Sequence, residues 1–364
     1  MTLTNSDSEC SLRTYYSSLK EQIKRIRDHL IRMGKMPVPK YRPRIFVAVH
    51  HVNWEKHGLV DGWAEIADVI HYDWGNSFDQ YAPNWHHRGK PDFNNELIRQ
   101  VESAHREKPI DLFFSYLSGR WVYPETIQTI SKMHLITVNI SLDDTVKFWG
   151  FREPSGLSGN AEIAPEFDFC ITCQSGEDVQ KYDTVGARAL FLPPGANPHT
   201  FSPLPVSRDI TVSFVGQCYG IRPRMITWLI NHGISVQTFG KGWPSAELSH
   251  PEMNAIYSRS LINLGFGYIG DSQVTGLKGR DFEVPLMGGL YLTTYNQDLE
   301  NCFIIGKEID CYRNEQELLS KLHYYTAHPD IAINIGTAGR NRCLSEHTWI
   351  HKFKTILSIA GLSN

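Results

Sequence analysis

Short apolar runs alternate with amphipathic stretches along most of the chain, and that order predicts its architecture. Residues 12–34 place Leu19, Ile23, Ile26, Leu30 and Met33 at spacings of three and four, a helix closed by Gly34. Lys20, Lys24, Arg25 and Arg27 fall mostly on its other faces. MPVPKYRPR then breaks the pattern with three prolines. Next comes Arg44-IFVAV-His50, a continuous apolar run typical of a strand buried on both faces of a parallel sheet. Further strands are predicted at 67–73, 110–117, 134–141, FDFCITC and RALFLPPG, with helices at 91–107 and 125–133. Alternation of this kind means βαβ units in an open parallel sheet.

Leu192-PPGANPHTFSPLPVSRD is too proline-rich to continue a helix or a central strand, so it reads as a linker. A second alternation follows it. Strands are predicted at 210–216, 234–240, 261–267 and 290–295. Helices are predicted at 222–233, 253–260, 282–289, 315–328 and 331–346, with a last one in HTWIHKFKTILSIAG. The expected fold class is α/β, two Rossmann-like domains covering 1–203 and 204–344.

Composition narrows the function. The 364 residues are 41% apolar and 21% charged with a net charge of −3, so the chain can bury a large core. It lacks the basic surface that nucleic-acid wrapping needs. Seven scattered cysteines do not form a disulfide framework, and a reducing compartment is the simpler expectation. Met1 is followed by a polar run with no apolar signal core, and no apolar run reaches the ~18 residues of a membrane span. A cytoplasmic protein is expected. The basic helix at 12–34 could rest on an anionic membrane face, although a packed surface helix is the plainer reading.

In parallel α/β domains, ligands bind outside the carboxyl ends of the strands. In the second domain the residues there are Gly216 to Arg222, Gly240-Lys241-Gly-Trp243, Gly265 to Gly270 and Gly276-Leu-Lys278-Gly-Arg280-Asp-Phe-Glu283. Glycines let backbone N–H groups approach a phosphate, Lys278 and Arg280 add positive charge, and Glu283 could accept from a pair of sugar hydroxyls. Gly265, Gly267 and Gly270 match G-x-G-x-x-G, but no acid about 20 residues on completes a dinucleotide fingerprint. The first strand runs into HHVNWEKHG, which also lacks one, so a nicotinamide-dependent oxidoreductase is disfavoured. Cys170-x-x-Cys173 has no second pair nearby, and neither G-x-S-x-G nor H-E-x-x-H occurs. Among the aromatic residues, Trp121, Trp149, Trp243 and Tyr268 are candidates to stack on a sugar or a base.

Residues 212–237, FGKGW at 239–243, 277–294, 299–330 and 338–353 resemble, in order, the CgeB-type (spore-maturation-like) glycosyltransferases of the GT-B fold. The first half is similar only through VNISLDD at 138–144 and LPPGANPHTFSP at 192–203. The resemblance implies two domains facing each other across a cleft, with residues 345–364 crossing back to the first domain. It implies a transferase using a nucleotide diphosphate-sugar as co-substrate, with no other cofactor. Gly216, Arg222, Lys241, Trp243, Gly276, Lys278, Arg280 and Glu283 would bind the donor nucleotide, Glu283 holding the ribose and Lys278 and Arg280 the diphosphate. The broader retaining superfamily has a glutamate eight positions before Glu283, where this chain has Thr275. Lys and Arg could stabilise the leaving diphosphate without a metal. Asp143, Asp144 and His51 are the catalytic candidates for the acceptor proton, with His50 as an alternative and a helix cap as the competing role of Asp143. His86 and His87 lie in a loop that could line an acceptor site, and His347 is expected to be structural. The acceptor would be a glycoconjugate, lipid-linked or polysaccharide. A non-catalytic scaffold of the same fold is the competing expectation.

Overall fold

A computed structural model describes residues 5–245, 247–269 and 272–363, with backbone alone for 5–17. The chain divides into two compact units. Unit 1 holds the residues up to Pro193 together with those from Trp349 on, and unit 2 is Pro194–Thr348.

Unit 1 begins with α1 (Asn5–Arg32), followed by β1 (Arg44–Ala48), α2 (Asp61–Ile66) and β2 (Asp68–Tyr72). Then come α3 (Lys90–Glu107), β3 (Leu112–Ser115), α4 (Pro124–Ser131), β4 (Ile136–Ser141) and α5 (Asp144–Lys147). A small hairpin of β5 (Arg152–Glu153) and β6 (Gly156–Leu157) precedes β7 (Phe169–Thr172), α6 (Val179–Thr184) and β8 (Ala189–Phe191). Six strands form one sheet in the order β2-β1-β3-β4-β7-β8, and every pairing in it is parallel. Phe113 and Phe114 of β3 point to opposite faces, yet both are fully buried, because both faces of the sheet are covered.

The apolar stripe of α1 belongs to this core. Ile26 and Leu30 are fully buried, Leu19 and Ile23 pack against them, and only Met33 of the five stripe residues is exposed. A stripe spent on the core is not available to a bilayer, so the membrane reading of 12–34 loses its apolar half. Among the described residues no helix is long and apolar enough to cross a membrane.

Unit 2 contains β9 (Ile210–Val215), α7 (Arg222–Asn231), β10 (Gln237–Phe239), α8 (His250–Arg259) and β11 (Ser260–Leu264). It continues with α9 (Arg280–Leu286), β12 (Leu290–Thr294), β13 (Asp310–Tyr312), α10 (Glu315–Ala327) and α11 (Pro329–Glu346). Its sheet is also parallel, in the order β10-β9-β11-β12-β13. The last helix, α12 (Trp349–Ile359), packs on α2 of unit 1, where Phe353 stacks on Trp63 with ring centroids 4.1 Å apart. Gly58 and Gly62 make that seat: a Cβ on Gly62 would lie 2.9 Å from the Phe353 ring.

Both sheets reverse strand order beside their first strand, between β1 and β3 in unit 1 and between β9 and β11 in unit 2. Loops leaving the carboxyl ends of such a strand pair diverge to opposite faces and open a crevice. Each unit therefore has one place where a ligand is expected, and both places hold chemistry.

Candidate functional site

In unit 2 the loop after β9 runs beside the loop after β10. Gly216 N–H donates to the Phe239 carbonyl at 2.8 Å, Cys218 N–H to the Lys241 carbonyl at 2.9 Å, and Trp243 Nε1 to the Gly216 carbonyl at 2.8 Å. Gly240 sits at φ +122°, and a Cβ there would come within 2.7 Å of the Gly216 oxygen, so only glycine permits this approach. Trp243 thus holds two loops together from a half-buried position, whereas the Lys241 side chain is exposed.

Arg280 reaches across from the start of α9. Its Nη1 donates to the Val215 carbonyl at 2.6 Å, and a Cβ on Gly216 would collide with its guanidinium. Phe214 carries Arg280 and Arg222 within 5.8 and 5.5 Å of its ring centroid. Arg222 also lies over Tyr219 at 4.2 Å and donates to the Gln217 carbonyl at 3.0 Å. Burial first, and the neighbouring Arg280 charge second, pull the Arg222 guanidinium down to about 10. Two cations crowded this way favour an anion between or beside them.

Glu283 lies one turn further along α9 and is half-buried. Its carboxylate has no hydrogen bond or ion pair among the described residues, and burial pushes it up to about 7 despite the field of Arg280. Asp281, in contrast, is fully engaged, accepting from Tyr291 OH and Lys278 N–H at 2.7 Å each. Burial raises its pKa, and its role is to hold the loop. Gly276 N–H donates to the Gly267 carbonyl at 3.1 Å, closing the excursion between them. Thr275 makes only long contacts, to the Tyr295 carbonyl at 3.4 Å and from Asn296 at 3.5 Å. The third glycine of G-x-G-x-x-G, Gly270, lies outside the described residues. Tyr268 lines a separate cavity of about 170 Å³ with Arg224 and Glu315. His347 Nε2 donates to the Cys302 carbonyl at 2.8 Å, and the ring packs between Phe282 and Phe303, a structural position.

Unit 1 carries a pocket of about 430 Å³ at its own switch point, walled by residues after β1, β2, β3 and β4. Two sequence candidates need correction here. His50, not His51, lines the pocket: His51 turns aside, taking the Lys56 N–H at 3.4 Å and packing edge-on against His57. Asp144 does not reach the pocket either. Its carboxylate is fully buried and accepts from Ser141 and Tyr182 at 2.7 Å and from Asn160 at 3.0 Å, an internal anchor that desolvation pushes upward in pKa. Asp143 does line the pocket and pairs with Lys147 at 2.7 Å. It occupies the N-cap position of α5 without making a side-chain cap bond.

Asp73 was missed, although it follows strand β2 directly and the carboxyl-end rule covers it. It accepts from His50 Nδ1 at 2.8 Å. Burial raises the Asp73 pKa, but the His50 bond and the N–H groups of Gly75 and His51 outweigh it and hold the carboxyl below its ordinary value. Lys90 was missed as well. It is buried, donates to the Gly119 and Ser155 carbonyls at 2.6 and 3.1 Å, and so ties the loop after β3 to the β5–β6 hairpin. Desolvation lowers it to about 8. Trp121 lines the pocket, whereas Trp149 and the His86-His87 turn do not, and His86 bonds Ser155 at 2.9 Å. Cys170 and Cys173 are free and buried in β7 and just beyond it. Among the described residues no group of three metal-ligating side chains converges.

Residues 222–358 match the glycosyl transferase-like family. Sucrose-phosphate synthase from Thermosynechococcus elongatus superposes with a TM-score of 0.59 at 12% identity, covering 87% of this chain and 98% of that one. Anabaena HepE, in complex with UDP and glucose, gives 0.57 at 10% identity over 86% and 99%. A glycosyltransferase from Rickettsia africae gives 0.59 at 9% identity over 88% and 98%. The fold is that of the GT-B glycosyltransferases. By sequence, no curated protein matches the chain. The family match begins at Arg222 and takes in Arg280 and Glu283, so the part of this GT-B chain related by sequence includes the crowded cations and the unpaired carboxylate.

Proposed function

We propose that this chain is a glycosyltransferase that takes a sugar from a nucleotide diphosphate-sugar and passes it to a hydroxyl acceptor. The observation that carries this reading is the Glu283 carboxylate, desolvated and unpaired beside Arg280. Leaving a half-buried, desolvated carboxylate without donors is costly, and a pair of ribose hydroxyls would supply two. Arg280, Arg222 and Lys278 provide the cations that a departing diphosphate needs, so the leaving group is stabilised by side chains and no metal is called for. The UDP carried by Anabaena HepE supports a nucleotide ligand for the same fold. Gly216 and Trp243 shape the loop pair, Gly276 closes the phosphate loop, and Lys241 is exposed at the edge, free to reach a ligand. The CgeB-type assignment, a cytoplasmic setting and a glycoconjugate, lipid-linked or polysaccharide acceptor form part of the same proposal. A scaffold would have no use for an unpaired, half-buried carboxylate beside a guanidinium.

Thermal-shift and calorimetric titration with UDP-, GDP-, CDP-, ADP- and dTDP-sugars tests the reading. A ligand at ~100 times its Kd adds about 2.7 kcal/mol of stability. A clear preference for one nucleotide is expected. A folded protein that ignores all five would instead support the scaffold.

A further inference from the structure

Where α1 ends and the chain runs on to β1, unit 1 carries a surface that the proposed chemistry does not use. Among the described residues twenty large apolar side chains are exposed, and five of them, Ile31, Met33, Met36, Val38 and Tyr41, fall within 31–41. Val38 is 79% exposed and Tyr41 99%. Single apolar residues on a surface need no explanation, whereas five in so short a stretch mark a contact surface. We propose that this ridge docks unit 1 on an anionic lipid bilayer. Only unit 1 is involved, and the transferase reading is not needed for it.

The stripe of α1 that faces the core takes no part; the ridge begins on the other side of its last turn. Its backbone is fixed at both ends. Gly34 turns the chain at φ +66°, and Lys35 N–H donates to the Leu30 carbonyl at 2.9 Å. The buried Lys35 Nζ then binds Asp168 at 2.8 Å. Met36 rests on the turn after α12, where a Cβ on Gly361 would lie 3.0 Å from its Cε, and Lys40 N–H donates to the Leu362 carbonyl at 3.0 Å.

The same stretch has few backbone donors left for water. Pro37 and Pro39 have no N–H, and those of Met33, Gly34, Lys35 and Lys40 are bonded within the protein. Entry into the boundary between headgroups and acyl chains therefore desolvates little backbone, which is the main cost an apolar medium imposes.

Charge selects the kind of surface. From Lys24 to Arg42 the chain has seven Lys or Arg and one acid, Asp28. Four of the seven are spent, Arg25 on Asp183, Lys35 on Asp168, Lys40 on Asp111 and Arg42 on Asp68. Lys24, Arg27 and Arg32 are exposed and make no ion pair among the described residues. Arg27 donates to the Ser358 carbonyl at 3.1 Å, which leaves its charge uncompensated. Lys132, adjacent to the Ser131 hydroxyl that binds Lys35, is another exposed, unpaired cation. Cations beside exposed aliphatic and tyrosine side chains suit anionic headgroups over an apolar layer. A nucleic acid would engage the cations and leave Val38 and Tyr41 in water, and a second copy of the chain would bring the same positive charge against itself.

Co-sedimentation of the full chain with vesicles of phosphatidylcholine, alone or mixed with phosphatidylglycerol, tests this. Binding to the mixed vesicles should be stronger by about tenfold or more and should fall steeply at high salt. Lys24→Gln and Arg32→Gln should each weaken it by about fivefold. Val38→Asp and Tyr41→Ser, both at exposed positions, should each weaken it by about 3- to 10-fold or more. Hydrogen–deuterium exchange of the unaltered protein, which needs no variant to fold, should show vesicle-dependent protection at 31–41. Nucleotide titrations on the same preparations should be unchanged in all four variants, so loss of either activity is read separately. No binding to mixed vesicles, equal binding to phosphatidylcholine alone, or indifference to the Val38 and Tyr41 variants would overturn the assignment. Binding of heparin or duplex DNA through Lys24 and Arg32, with vesicles ignored, would overturn it in favour of a soluble polyanion.

Discussion

Replacing Glu283 by glutamine should make the protein more stable and a poorer binder at the same time. The Glu283 carboxyl rises from 4.5 to about 7 because burial disfavours its charge. The folded state therefore holds that proton more tightly than the unfolded chain does. Stability from this group is fully present below pH 4.5, declines as pH rises, and is lost above about 7. At ~1.36 kcal/mol per pH unit, the cost at pH 8 is on the order of 3 kcal/mol. Glutamine keeps the shape without the charge, so Glu283→Gln should gain up to about 3 kcal/mol at pH 8 and close to nothing near pH 4. The same change weakens the ribose contact, by ~1.5 to 3 kcal/mol for hydrogen bonds to a charged group. Chemical denaturation at the two pH values, with nucleotide calorimetry on both proteins, checks both signs. A variant less stable than wild type at pH 8, or one with undiminished nucleotide affinity, would refute the reasoning. A residue held only for packing has no reason to move the two quantities in opposite directions.

Other outcomes follow from the same geometry. Nucleotide binding to the wild type should release protons near pH 7, because the bound ribose favours the ionised carboxylate; calorimetry in buffers of different ionisation enthalpy measures this. Arg280→Met should weaken nucleoside diphosphates more than nucleosides, by about tenfold or more, and equal losses for both would remove the phosphate role. Asp144→Ala strands the donors of Ser141, Tyr182 and Asn160, so it should cost about 2 to 4 kcal/mol in denaturation while nucleotide affinity in unit 2 stays unchanged. Lys90→Met should speed amide exchange in the β5–β6 hairpin, and unchanged exchange there would deny Lys90 its tie.

The strands of both sheets were legible because full burial on two faces leaves continuous apolar runs such as IFVA and LFFS. β13 escaped notice: its Asp310 and Cys311 interrupt the run, and Asp310 is kept in its buried place by bonds from Lys321, Tyr325 and the Cys311 N–H. α2 was hidden by Gly58 and Gly62, which look like helix breakers in sequence but make room for Trp349 and Phe353, residues nearly 300 positions later. The site errors were errors of direction. His50 and His51, or Asp143 and Asp144, are adjacent in sequence, yet one of each pair meets the pocket and the other turns away into neighbouring structure. Sequence places such residues after a strand; only tertiary packing decides which way each points. Glu283 stood out earlier because its helix position and basic neighbours are all local.

On the proposed function, the loops after β9 and β11, with α9, form a nucleotide site. Hydrogen–deuterium exchange with and without the best-binding nucleoside diphosphate addresses it directly. Protection concentrated in 216–222 and 276–286 is the predicted result, while protection confined to other segments would contradict it.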